Sequence, residues 1–212
     1  MARYGEKADG RVARAQRARE IRRAAVLSAA RQQFADEGYH ATSIDDIIEA
    51  ADIARGTFYL YFQSKRAIFD ELLDELFVTL QAQVKRIETG PNALPPVEQM
   101  DATVDRVLDT LLENREMAKI LLREAVGIDD EFDVKLKQFY GRIEALLAKA
   151  IVTGQEMRLV RACDAEMVAR CILGSAKELV HWAFVERDPT ELDLHHLGRE
   201  LIAFTLKGLF TT

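Results

Sequence analysis

The chain of 212 residues is poor in the residues that interrupt or staple a fold. It has four prolines, eleven glycines, two cysteines and one tryptophan. Few prolines and glycines leave little to break long helices, so helix is the favoured element. Two cysteines, Cys163 and Cys171, give neither a disulfide framework nor a zinc spacing. No run of 18 apolar residues is present, which excludes a membrane-spanning helix. The N-terminus is polar and arginine-rich and lacks the apolar stretch of a secretory signal, so a cytoplasmic protein is expected. No alternating strand pattern and no internal repeat is found.

What is present is a soluble composition with a large apolar fraction: 49% hydrophobic and 30% charged residues. The length favours two unequal domains. Net charge is −6, which by itself disfavours a polyanionic partner. Its distribution reverses that impression. Residues 1–31 carry nine Lys/Arg against three Asp/Glu, and residues 1–66 carry twelve against nine. The rest of the chain carries seventeen against twenty-six. A basic head on an acidic body fits a nucleic-acid reader joined to an unrelated domain. On charge alone a solvated basic tail stays equally open.

Helical periodicity gives about nine helices and no sheet, an all-α fold. Residues 1–17 read as a frayed basic arm, with a first helix over 18–37 ended by Gly38 at a left-handed cap position. Ser43 reads as the N-cap of a second helix, 44–51, with Asp46 completing a capping box. A turn over Asp52-Ile53-Ala54 leads to a brief third helix, 55–61. Ser64 then caps a long helix over 65–88. Further helices are expected at 97–113, 116–125, 131–152, 164–186 and 190–209. Asp164 caps the first of the last two; Asp188 caps the second, with Pro189 at its first position.

Two short helices joined by a tight turn, the second polar and aromatic, form a helix-turn-helix over about 43–62. Such a unit needs a small core to hold its second helix in a major groove, about 12 Å wide. Val26, Ala30, Phe34, Ile44, Ile47, Ile53, Phe58 and Phe62 can supply it. The segment TSIDDIIEAADIARGTFYLYFQSK, Thr42 to Lys65, resembles the DNA-binding region of TetR-type (TetR/AcrR) transcriptional regulators. Its marks are Gly38-Tyr39, Thr42-Ser43, Gly56-Thr57-Phe58-Tyr59, Tyr61-Phe62 and Ser64-Lys65, and the resemblance covers about Arg19 to Leu73. Three positions depart from the usual pattern: Asp52 for a glycine, Ala54 for a hydroxyl cap, and Ile48 for a small residue.

The resemblance implies a DNA-binding domain over 1–66, with its basic arm at 1–18, and a helical effector-binding and dimerisation domain over 67–212. It implies that Arg55, Gly56, Thr57 and Tyr59 face bases and backbone. Leu60 and Tyr61 would lie against the sugar-phosphate strand, and Thr42, Ser43 and Lys65 would meet phosphates. Arg55 is the best base reader on chemistry, since guanidinium pairs bidentately with guanine. An operator that is palindromic, a homodimer, repression and release by a small molecule are further implications, with the helix beginning at Lys65 as the lever. Effector-pocket candidates are Phe69, Leu73, Leu108, Leu121, Arg123, Phe139, Tyr140, Ile143, Leu179, His181 and Trp182. Their apolar character points to an apolar or amphipathic effector, although any single one can equally be core. Small residues Gly174, Ser175, Ala203 and Gly208 are candidates for close approach between two copies. No cofactor and no metal are expected, because His195, His196 and Cys171 lack a third ligand at useful spacing. An enzyme is disfavoured, since neither a nucleophile–base pair nor a metal cluster is evident.

Overall fold

The computed structural model describes secondary structure for residues 3–123 and 130–209, and side chains for residues 14, 16–122 and 133–206. Among the described residues there are nine α-helices and no strand. They are α1 (Arg3–Glu37), α2 (Ile44–Ala50), α3 (Arg55–Tyr59), α4 (Lys65–Gln83) and α5 (Pro96–Glu113). α6 (Arg115–Arg123), α7 (Asp130–Glu156), α8 (Ala165–His181) and α9 (Leu194–Leu209) follow. The chain divides into two compact units, Met1–Leu72 and Leu73–Thr212. The division falls within α4, six residues after the boundary expected at Arg66.

The first unit is held by an aromatic core. Val26, Ala30 and Phe34 of α1 are buried with Ile47, Phe58, Phe62, Ile68, Phe69 and Leu72. Phe34 and Phe69 both pack on Tyr39, at ring distances of 5.2 and 4.9 Å. Each such ring contributes about 1.5–3 kcal/mol of burial. Ile44 and Ile53, expected in this core, are only half-buried. Phe69, offered above as a pocket residue, is corrected here: its ring fills the first unit against Phe34 and Tyr39.

α1 ends as anticipated. Gly38 has φ 90° and donates its N–H to Phe34 O at 3.1 Å. α1 begins far earlier than expected, at Arg3 rather than near Ala18. Arginine, alanine, lysine and glutamate are strong helix formers, and they dominate residues 3–25, so propensity favours the longer helix.

The second unit pairs α7 with α8 and α5 with α9. Ala118, Ala183, Phe184 and Leu194 form a buried cluster, flanked by Leu108, Leu111, Trp182 and Leu197. α5 and α9 meet at Gly198, where a Cβ would stand 2.8 Å from Val104 Cγ1 and Leu108 Cδ1. α4 stops at Gln83, short of the expected Glu88. Arg106 of α5 donates to the terminal carbonyl of Gln83 through Nε (3.3 Å) and Nη2 (3.2 Å). Gln99 holds the following strap through Glu88 and Leu94. α8 passes into one π-turn, Trp182–Glu186. The Asp188-Pro189 signal starts only a 3-10 turn, Pro189–Glu191. Asp193 is the side chain that opens α9, accepting from His196 N–H at 2.8 Å.

Candidate nucleic-acid interface

The geometry of the first unit follows from two caps and a turn. Ser43 Oγ accepts from Asp46 N–H at 3.2 Å, and Asp46 Oδ2 accepts from Ser43 N–H at 2.7 Å, closing the capping box. The Ser43 hydroxyl also donates to Asp46 Oδ2 at 2.7 Å. These bonds from the Ser43 backbone, then its side chain, hold the Asp46 carboxyl below its ordinary range. Asp52 takes φ 50° in the turn, a backbone conformation that aspartate tolerates better than most residues. Ala54 gives α3 no side-chain cap.

α3 is consequently a short helix with two opposed faces. Phe58 and Phe62, four apart, are buried. Arg55, Gly56, Tyr59 and Leu60 point the other way, with Tyr59 49% and Leu60 70% exposed. Thr57 and Tyr61 sit half-buried at the margins. A Cβ added at Gly56 would meet nothing within 4 Å, so nothing inside the fold demands glycine there. Helical glycine costs about 0.5–1 kcal/mol relative to alanine.

Arg55 Nη2 rests on Asp45 Oδ1 of α2 at 2.5 Å, with both side chains largely exposed. An exposed pair of this kind contributes about 0–1 kcal/mol, so it holds Arg55 only weakly. Asp45 was not singled out from sequence, where it reads only as an acidic residue in a first turn. Arg19 of α1 stacks over the Tyr61 ring at 6.0 Å. Arg23 pairs with Glu71 and lies over Phe62 at 5.0 Å. The exposed face thus offers a guanidinium, a phenol and a gap at Gly56. α3 itself carries no carboxylate.

Two expected phosphate contacts are placed differently. The Thr42 side chain is only 2% exposed. Its hydroxyl is bonded inward, to the carbonyls of Gly38 at 2.8 Å and Gln33 at 3.2 Å. Lys65 Nζ donates to Tyr39 O and Thr42 O at 2.6 Å each, and to His40 O at 3.3 Å. It also lies 4.5 Å from the Tyr39 ring centre. Thr42 and Lys65 therefore tie the α1–α2 loop; only a tertiary structure shows this, since the loop carbonyls are 23 to 26 residues from Lys65.

In the second unit, Leu121, Phe139 and Tyr140 come together. Tyr140 OH donates to Leu121 O at 3.3 Å, and the Phe139 and Tyr140 rings lie 5.5 Å apart. Burial pushes the Tyr140 phenol up to about 12, so it stays a neutral donor. Lys177 Nζ stands 4.8 Å from its ring centre. Leu73 is buried on α4, and Ile143 and Leu179 are half-buried. Leu108 and Trp182 belong instead to the cluster around Phe184. His181 Nδ1 faces Glu186 at 3.4 Å. The Arg123 side chain lies outside the described residues, and Gly208 is described only as part of the α9 backbone. Among the other small residues, Gly174 is exposed with no neighbour within 4 Å of a Cβ. Ser175 bonds to Cys171 O, and Ala203 is half-buried. Missed from sequence were Met167 and Phe204, 60% and 73% exposed on α8 and α9. Met167, Cys171 and Gly174 follow helical spacing along one exposed stripe. Among the described residues no set of three His, Cys, Asp or Glu is placed to hold a metal. No described helix is long and apolar enough to cross a membrane.

An exposed reading face on a helix-turn-helix defines the class of a DNA-binding regulator. Comparison with known proteins then fixes the family. Residues 26–72 match the family model described as bacterial regulatory proteins, tetR family. Residues 93–208, over half of the chain, match the tetracyclin repressor-like C-terminal domain. The chain belongs to the TetR family of DNA-binding transcriptional regulators. It is 25% identical over 193 residues to the uncharacterised HTH-type transcriptional regulator YhgD of Bacillus subtilis (strain 168), covering 89% of this chain and 96% of that one. The fatty acid degradation regulator FadR from Bacillus halodurans shares the fold with a TM-score of 0.73 and 22% identity, over 88% of this chain and 95% of that one. SmeT, the repressor of the Stenotrophomonas maltophilia multidrug efflux pump SmeDEF, gives a TM-score of 0.72 at 20% identity, over 89% and 90%. A SmeT–triclosan complex also matches, with a TM-score of 0.70 at 20% identity, over 90% of this chain and 92% of that one.

Proposed function

We propose that this protein is a ligand-responsive repressor that binds a palindromic operator as a homodimer. The single observation that carries the reading is the outward face of α3: Arg55, Gly56, Tyr59 and Leu60 exposed together while Phe58 and Phe62 anchor the helix from behind. Arg55 reads a base edge, worth about 1–3 kcal/mol of discrimination. Tyr59 and the margin residues Thr57 and Tyr61 engage the backbone, fixing register. Ser43 contributes at the start of α2, while Asp45 holds Arg55 in place before binding.

Two-fold pairing through α8 and α9 is supported by exposed Met167, Phe204 and Gly174, which a second copy would cover. Two heads must then reach successive major grooves, about 34–36 Å apart. Release follows when a small molecule prefers an arrangement in which the heads no longer match the grooves; its leverage is its differential affinity for the two states. The aromatic row of Phe77, Phe139 and Tyr140, with Leu121, favours an apolar or amphipathic effector. Triclosan on SmeT is a precedent on a relative of the same fold. Gel shift on the DNA upstream of its own gene tests the reading. A shift abolished by Tyr59→Ala together with Arg55→Ala supports it. Binding indifferent to both substitutions, or no binding at low salt, refutes it.

A further inference from the structure

Residues 43–62 carry four carboxylates and one cation, Arg55. The balance is at odds with a unit that approaches phosphates, since Lys and Arg ordinarily supply that attraction. Three of the four carboxylates have other places. Asp46 closes the box with Ser43, Asp52 makes the turn at φ 50°, and Glu49 is exposed on α2. Asp45 is the one that reaches α3. Its Oδ1 accepts from Arg55 Nη2 at 2.5 Å, so α2 presents a carboxylate to the very residue suited to reading bases.

The pair lies in the open. The side chains of Arg55 and Asp45 are 62% and 68% exposed, so their contact adds little to the fold. The helix dipole of α2 favours an acidic first turn whatever Arg55 does, and Asp46 already supplies one. Among the described residues Arg55 meets Asp45 through Nη2. With five N–H donors in a planar fork, it can offer the others to a base edge without leaving the carboxylate. The two kinds of acceptor on DNA respond differently to this arrangement. A phosphate that nears Arg55 also nears Asp45, and like charges repel. The edge of guanine carries two acceptors, N7 and O6, and no net charge. The carboxylate therefore opposes phosphate and leaves guanine unopposed.

We infer that Asp45 is a specificity-determining residue, which lowers the affinity of Arg55 for phosphates and so reserves its guanidinium for guanine. It acts through Arg55 and reads no base of its own. Specificity is a difference of affinities, and repulsion of the wrong partner raises it just as a new contact with the right one does. The inference rests on the proposal that α3 reads DNA through Arg55, and the test separates the two.

Full-length wild type, Asp45→Ala, Asp45→Glu, Arg55→Ala and the Asp45→Ala, Arg55→Ala double variant are compared by fluorescence anisotropy at one salt concentration. Three duplexes are used. The first carries a site selected from a random-sequence pool by the wild type. In the second, adenine replaces the guanine of each half-site to which Arg55→Ala is indifferent. The third is an unrelated sequence of equal length. Alanine keeps helix propensity, and melting curves verify that each variant folds. Asp45→Ala is expected to bind the unrelated duplex about two- to fivefold more tightly per bound head, the size of one like-charge repulsion near the surface. It should also lose at least about fivefold in preference for guanine over adenine, because Arg55 then settles on phosphate whichever base is present. Asp45→Glu keeps the charge and is expected to retain most of that preference. In the Arg55→Ala background, removing Asp45 should leave base preference unchanged, the non-additivity expected of two residues that act together. Guanine preference untouched by Asp45→Ala, or an equal loss of affinity on all three duplexes, would overturn the inference while leaving α3 as a DNA reader. A change in base preference on removing Asp45 in the Arg55→Ala background would assign Asp45 a base of its own, and also overturn it. Failure of the wild type to select a site, or a selected site at which Arg55→Ala alters no base preference, would overturn the reading beneath it.

Discussion

Replacing Lys65 by methionine separates two roles for one residue. The resemblance implies a phosphate clamp; the geometry gives a loop clamp. Lys65 Nζ bonds two carbonyls at 2.6 Å and a third at 3.3 Å, and faces the Tyr39 ring. Hydrogen bonds to a charged group contribute about 1.5–3 kcal/mol each, and an orphaned buried carbonyl costs about as much. Methionine retains the stem, and water can recover the His40 carbonyl, which lies nearer the surface. A net loss of about 2–3 kcal/mol follows. For a chain of this size that lowers the melting temperature by roughly 5–10 °C. Thermal unfolding followed by circular dichroism measures it, with DNA affinity measured separately at 15 °C, where both proteins are folded. The expected result is a large drop in melting temperature with affinity within about threefold. A variant that melts within 1 °C of wild type yet loses tenfold or more in affinity would refute the loop-clamp reasoning and restore the phosphate role.

Further substitutions probe other parts of the account. Gly56→Ala should raise stability by about 0.5–1 kcal/mol, because its Cβ meets nothing within 4 Å. It should also weaken DNA binding at least several-fold; melting curves and anisotropy check the pair of effects. Gly198→Ala should destabilise the second unit by about 1–3 kcal/mol through overpacking on Val104 and Leu108, read from denaturant midpoints. Arg158 stands at φ 59° after α7; Arg158→Gly should stabilise by about 1 kcal/mol, measured by urea unfolding. His195 Nε2 bonds Asp109 Oδ1 at 2.8 Å, with Asp105 at 3.8 Å, and the hydrogen bond to Asp109 raises its pKa. A raised pKa adds stability below the unfolded value near 6.5, lost as pH climbs through the folded value. Melting temperature should therefore decline from pH 6 upward by a small amount, and His195→Gln should flatten that slope.

Local signals in the sequence were reliable where one or two residues decide the backbone. Gly38 ends α1, Ser43 and Asp46 close their box, and Asp52 makes the left-handed turn. Phe58 and Phe62 follow from helical spacing, as does the exposure of Arg55, Tyr59 and Leu60, while Thr57 and Tyr61, expected on the same outward face, are half-buried. The start of α9 was misplaced because Asp188-Pro189 and Asp193 both carry start signals, and only packing of Leu194 and Gly198 against α5 selects the later one. The early start of α1 was missed because a helix without an apolar stripe leaves no periodicity to detect. The loop contacts of Thr42 and Lys65 are hidden for a different reason. Their partners are carbonyls, which sequence does not display. Phe69 sits one residue after Ile68 on the same helix, and nothing in its register says which unit it fills. Met167 and Phe204 pass for core residues until their neighbours are found absent.

The central claim is that the outward face of α3 reads DNA, and fluorescence anisotropy on a duplex selected from random sequence tests it most directly. The account predicts wild-type binding that weakens steeply with salt, and an Arg55→Ala variant that retains its fold, loses about 10-fold or more in affinity, and relaxes preference at a guanine in each half-site. Undiminished affinity and unchanged base preference in that variant would contradict it.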